Sequence, residues 1–166
     1  MLEDYSNFFI ASAGASAALI GLLFVALTIA DTGVDDERAK SNRDALAGSA
    51  FVQLLDAFFV SLGGLAGEVR VFASLGAGMA VFGLWTTSQL LPGVIRSGNW
   101  ARNSPVRTSN IVMPITSILV YVSQLVFAIG VFFISDNSAL FRLSVLIMLG
   151  LYGGAVARAW KITRTT

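Results

Sequence analysis

Cysteine and histidine are both absent from this chain of 166 residues, and each absence closes a set of functions. Without cysteine there is no disulfide, thiolate nucleophile or redox pair. Without either residue there is no Cys/His zinc or haem site. Lack of histidine also excludes Ser-His hydrolysis inside a membrane. Charge is scarce as well: Asp, Glu, Lys and Arg make up 13% of the chain, against about 25% in an ordinary globular protein. That is too little polar surface to cover a water-facing exterior. No basic run is dense enough for a nucleic-acid footprint, so nucleic acid is not an expected partner. No carboxylate pair, phosphate-binding glycine loop or nucleophile elbow occurs, so neither an enzyme nor a cofactor is expected.

What the chain has is apolar length. Hydrophobic residues make up 55%, gathered in five runs at 7–30, 47–66, 71–91, 111–134 and 140–160. Crossing about 30 Å of hydrocarbon takes roughly 20 helical residues, and every run is long enough. Between the runs lie charges and turn formers. The segment 31–44 holds Asp31, Asp35, Asp36, Glu37, Arg38, Lys40, Arg43 and Asp44. Gly67-Glu68-Val69-Arg70 predicts a tight turn, 92–110 a Gly/Pro/Asn/Ser-rich loop, and Ser135-Asp136-Asn137-Ser138 a short break. The pattern predicts an all-α, polytopic helical membrane bundle, one domain over 1–166 with five transmembrane helices in the lipid bilayer.

The basic residues orient it. With five spans, Arg38, Lys40, Arg43, Arg96, Arg102, Arg107, Arg158, Lys161 and Arg164 share one side, and Arg70 and Arg142 the other. If the second run did not cross, that nine-to-two division would become five to six. The positive-inside rule therefore predicts five spans, with the N-terminus outside and the C-terminus cytoplasmic. Glu3 and Asp4 stand where a cleavable signal would carry basic residues, so the first span is expected to be retained. Arg96, Arg102, Arg107, Arg158, Lys161 and Arg164 read as topology determinants that also touch anionic lipid. Asp35, Asp36 and Glu37 lack an EF-hand pattern and read as a solvated charge run. Trp85, Trp100 and Trp160 fall near the inner boundary, as interfacial aromatics should. Pro114 falls in the first turn of the fourth run, where its missing N–H predicts no kink.

Small residues crowd the first and last runs, and the third also holds Ala73, Gly76, Ala77, Gly78, Ala80 and Gly83. Between Ala11 and Gly21, nine of eleven residues are Ala, Ser or Gly. Gly14, Ala18 and Gly21 share one side of the first helix, and Gly150 and Gly154 one side of the last. In lipid, helices associate by close backbone approach and dispersion, which such faces permit. They suit intrachain packing or a subunit interface. Five short helices offer little interior for so many small faces, so a homo-oligomer is expected.

Asp56 is the residue most at odds with its surroundings, with eleven uncharged residues on either side. A charged aspartate at a helix centre costs about 2.5–3.5 kcal/mol even on the lenient insertion scale. It lies on a stripe of Ser49, Gln53, Asp56, Val60, Gly63 and Gly67 at helical spacing. The fourth helix has a matching stripe in Ser117, Tyr121, Gln124 and Ala128. Counting depth from the helix ends brings Ser16, Gln53, Asp56, Tyr121, Gln124 and Tyr152 to one mid-membrane layer. In the plainer reading a protonated Asp56 is satisfied by Gln124 or a tyrosine hydroxyl. In the sharper one Asp56, Gln53, Ser49, Tyr121 and Gln124 bind an ion or line a pore, with Asp56 ringed about an oligomer axis.

Two functions follow as expectations. The first is a homo-oligomeric ion channel or permeation subunit. The alternative is a non-conducting interaction or regulatory protein acting on another membrane complex. The direction in which Asp56 points separates them. A pore needs it on a shared axis or in a water-filled cavity, whereas a scaffold needs only an intrachain partner.

The opening Asn7-Phe8-Phe9-Ile10-Ala11-Ser12-Ala13-Gly14-Ala15-Ser16-Ala17-Ala18-Leu19-Ile20-Gly21-Leu22-Leu23-Phe24-Val25-Ala26-Leu27 resembles the first helix of a family of small bacterial membrane proteins. Some members are labelled modulators of a membrane AAA protease. The resemblance covers about the first thirty residues. It implies a multi-pass protein of the bacterial inner membrane and no catalytic residue.

The native chain has no cysteine, so topology can be tested without background. Cysteines introduced at Ser6 or Asn137 should react with an impermeant thiol reagent from outside, and those at Ser104 or Thr165 should not. Labelling of Ser104 from outside would refute five spans.

Overall fold

Hydrocarbon offers the backbone no hydrogen-bond partner, so a spanning segment must satisfy its own N–H and C=O groups, as a helix does. A computed structural model of the chain describes residues 3–30, 37–96, 105–134 and 138–164. A short 3-10 turn, Glu3–Tyr5, leads into α1 (Ser6–Ala30), followed by α2 (Glu37–Leu65), α3 (Val69–Arg96), α4 (Pro105–Phe133) and α5 (Ser138–Arg164). Each helix contains a stretch long and apolar enough to cross a membrane: Ser6–Ile29, Arg43–Leu65, Val69–Gln89, Pro114–Phe133 and Arg142–Trp160. The chain is a multi-pass membrane protein with an all-α fold.

The helices outrun the apolar runs. α2 begins at Glu37 rather than 47, and α4 at Pro105 rather than 111. Hydropathy marks where lipid begins, whereas a helix continues as long as its residues are good formers. Glu37, Arg38, Ala39 and Lys40 are such residues. This corrects the reading of Pro114. The first-turn place belongs to Pro105, and Pro114 lies in the helix interior. There it withholds the N–H that would bond the carbonyl four residues back.

α2 and α3 form a hairpin closed by Gly67, whose φ of 77° is left-handed and suits a residue without Cβ. The Ala66 N–H donates to the Leu62 carbonyl at 3.1 Å, finishing the last turn of α2. α2 is the central helix and packs on α1, α3 and α5; α4 closes the bundle against α3 and α5. A cluster of Phe9, Val60, Phe72, Ala73, Val131 and Met148 draws on all five helices. Phe9 crosses from α1 to stack near Phe72, ring centroids 5.7 Å apart. It passes directly over Gly64, where an added Cβ would come 2.5 Å from its ring. Leu23, Ala47 and Ala50 join α1 to α2 further along. Outside, Leu22, Ile29, Leu119, Val126, Phe133 and Leu146 are exposed, a surface suited to lipid.

Between α3 and α4 the buried Tyr121 ring lies against Gly83, inside the space a Cβ would need. Gly83→Ala should therefore force the ring out of place and destabilise the fold by about 1–3 kcal/mol. Gly78→Ala, whose new Cβ meets nothing within 4 Å, is the control. Thermal unfolding in detergent should show a lower midpoint for the first and little change for the second.

Candidate functional site

The candidate site is built from Asp56 outward. Asp56 is 0% exposed and Gln124 8%. The Gln124 Nε2 donates to Asp56 Oδ1 at 2.8 Å and to the Gly76 carbonyl at 3.1 Å. One carboxamide thus ties α2, α3 and α4 together at a single level. Asp56 Oδ2 and Gln124 Oε1 are buried and have no hydrogen-bond partner. Beside Gln124 is a cavity of about 20 Å³, room for about one water, lined also by Val60, Gly76, Ala128, Ser144 and Met148.

A second tie lies toward the C-terminal end of α5. Arg158 is 4% exposed. Its Nη1 donates to Gln53 Oε1 on α2 and its Nη2 to the Ser117 hydroxyl on α4. One turn earlier, Gly154 leaves room for the Gln53 carboxamide: a Cβ there would sit 2.9 Å from Gln53 Oε1 and 3.0 Å from Arg158 Nη1. Tyr121, buried on α4, lies within electrostatic reach of both Asp56 and Arg158.

The third tie joins α1, α2 and α5. The Tyr152 hydroxyl donates to the Ser12 backbone carbonyl, so the Ser12 and Ser16 hydroxyls donate to it in turn. The Ser61 hydroxyl is 2.7 Å from that of Ser12 and 2.6 Å from the Ala57 carbonyl.

Of the residues singled out in the sequence, Asp56 and Gln124 form one pair, Gln53 turns to Arg158, and Tyr121 is buried within electrostatic reach of Asp56 and Arg158. Ser49 is not brought to the site; its hydroxyl caps back onto the Leu46 carbonyl of its own helix at 2.9 Å. The small residues divide. Gly14, Ala18, Gly21 and Gly150 face outward, and an added Cβ at any of the three glycines would meet nothing within 4 Å. Gly154 instead faces α2 within the chain. Trp85 and Trp160 are exposed. Asp35, Asp36, Trp100 and Arg102 lie outside the described residues.

Arg158 departs from its reading as a lipid-facing topology residue. Helical side chains lean toward the N-terminus, so an arginine near the end of α5 reaches back into the bundle rather than out of it. The signal was its i+4 spacing from Gly154, which puts both on the face turned to α2. Ser12 and Ser61 were also missed. Single hydroxyls among many small residues carry no periodic signature.

Chemically, the layer can fasten helices and hold a proton or a water. Among the described residues no three of His, Cys, Asp and Glu come together as metal ligands. Arg158→Ala should leave Gln53 and Ser117 short of a donor and cost about 1–3 kcal/mol. Arg158→Lys should restore little, because a single ammonium cannot replace the forked donors that reach two helices. Thermal midpoints of the three proteins in detergent would check this, and full rescue by lysine would contradict it.

The chain matches no protein family, no curated protein and no solved structure. The polar layer and the outer surface of the bundle are therefore what a functional reading must rest on.

Proposed function

We propose that this chain is a non-conducting interaction protein of the bacterial inner membrane that regulates or scaffolds another membrane complex. The observation that carries this reading is the place of Asp56. It is sealed inside the bundle of one chain and takes its hydrogen bond there, from Gln124. A permeation subunit needs that carboxyl on a shared axis or along a wet path. A scaffold needs only the intrachain partner it has.

The outer face of α1 supports the same reading. Gly14, Ala18 and Gly21 lie open on it, a surface on which a foreign helix can approach the backbone closely. Gly150 on α5 is similarly bare and is where a second copy would pack in a homo-oligomer. The placement in a bacterial inner membrane rests on the resemblance of residues 7–27. An outside N-terminus and cytoplasmic C-terminus rest on the basic-residue asymmetry.

Reconstituted into liposomes, the protein should pass neither protons nor sodium above the rate of empty vesicles, and Asp56→Asn should leave that unchanged. In native membranes, a photo-crosslinking residue at Ala18 should give a discrete adduct, and one at the buried Ser16 should not. Cation flux that Asp56→Asn abolishes would overturn this reading in favour of the channel.

A further inference from the structure

We propose that Asp56 is a protonation site: a neutral carboxylic acid whose Oδ2 proton is donated to Gln124 Oε1, completing a reciprocal acid–amide pair inside the bundle. This goes beyond the interaction reading and does not depend on it. A carboxamide has two N–H hydrogens. Gln124 uses them on Asp56 Oδ1 and on the Gly76 carbonyl. None is left for Asp56 Oδ2, and Gln124 Oε1 has no partner either. Both remaining atoms are acceptors if Asp56 is ionised, so neither can serve the other.

One proton resolves both. Bound at Oδ2, it turns that oxygen into a donor and gives Oε1 the hydrogen bond it lacks. The proton comes from water and carries the single positive charge that neutralises the carboxylate, so no further partner is required. The alternatives do less. A water in the adjacent cavity could supply two hydrogens, but it would leave a full negative charge in a largely apolar interior. An uncompensated charge there costs far more than a missing hydrogen bond. Among the described residues no cation hydrogen-bonds Asp56. Turning the Gln124 carboxamide over would set Oε1 against Oδ1 and forfeit the bond to Gly76.

The charged and titratable groups around the pair fit a neutral carboxyl. α4 contributes Tyr121 and α5 contributes Arg158, whose guanidinium is directed to Gln53 and Ser117. α3 offers the Gly76 carbonyl, and the buried polar side chains described on α1, Ser12 and Ser16, engage Tyr152. Removing the proton would leave one bond from Gln124 and two lone-pair atoms with a charge between α2 and α4. The pair is in that sense a latch between those helices, closed by a proton.

Infrared spectroscopy of the full chain in liposomes tests this directly. At neutral pH the wild type should show a protonated-carboxyl C=O band that shifts in D2O. Asp56→Asn should lose the band, and Gln124→Leu should move it to higher frequency as the hydrogen bonds vanish. Asp56→Asn should melt no lower than the wild type, since its amide donates to Oε1 as the acid did. Absence of the band from the wild type at neutral pH would overturn the proposal. So would a wild-type thermal midpoint raised by sodium over choline, with no such response in Asp56→Asn, because that pattern marks a bound cation in place of the proton.

Discussion

A polar group in hydrocarbon can be satisfied only by the protein itself, and Asp56 imposes that constraint at the middle of α2. Its consequence is architectural. α2 must be enclosed, and it is the helix on which α1, α3 and α5 pack. A donor must stand opposite Asp56, and Gln124 on α4 supplies it while anchoring to the Gly76 carbonyl of α3. Interhelical hydrogen bonds in membranes contribute only about 0.6 kcal/mol on average, so strength is not what this one provides. It provides selectivity. Rotating α2 to put Asp56 toward lipid would cost about 2.5–3.5 kcal/mol, several times the bond itself. The correct arrangement wins mainly because the wrong ones are so poor.

Two further ties remove the freedom that remains. Arg158 joins α5 to α2 and α4, and Tyr152 joins α5 to α1 beside Ser61 of α2. Between them the three ties include every helix. Close approaches that a larger residue would prevent accompany them. Gly154 makes room for Gln53, Gly83 for Tyr121, and Gly64 for Phe9. Where no hydrophobic force draws helices together, contact quality must do it, and glycine is how the backbones come near enough. Polar selectivity and small-residue packing are thus two parts of one solution.

That division also explains which features could be read from the sequence. Span number and the depth of the polar layer follow from one-dimensional counting, and counting sets Asp56 level with Gln124 and Ser16 level with Tyr152. Helix ends do not follow, because α2 and α4 continue through charged or polar residues that hydropathy assigns to loops. For the same reason Pro114, near the start of its apolar run, lies in the interior of its helix. Composition alone does not mark Arg158; what identifies it is its reach to Gln53 and the space Gly154 leaves. The small residues were the hardest to divide. Gly14 and Gly154 sit in similar patterns, yet one is open to the outside and the other is filled by a glutamine of α2.

The inside and the outside of this bundle therefore carry different kinds of information. Conduction requires polar groups that stay available to a passing ion and a wet route between them. Here the interhelical hydrogen bonds described form three ties linking different sets of helices, and the cavity beside Gln124 has room for about one water. Such a core fixes the relative placement of the helices. The α1 surface is the reverse: it is apolar, open over Gly14 and Gly21, and contributes nothing to the polar ties of its own chain there. Ser12 and Ser16, on the opposite side of the same helix, hold α1 to the bundle through Tyr152. One helix is thus fastened by its hydroxyls and left bare along its glycines. For the proposed interaction role the fastening matters, because a helix already ordered in its own bundle loses less entropy when a partner docks.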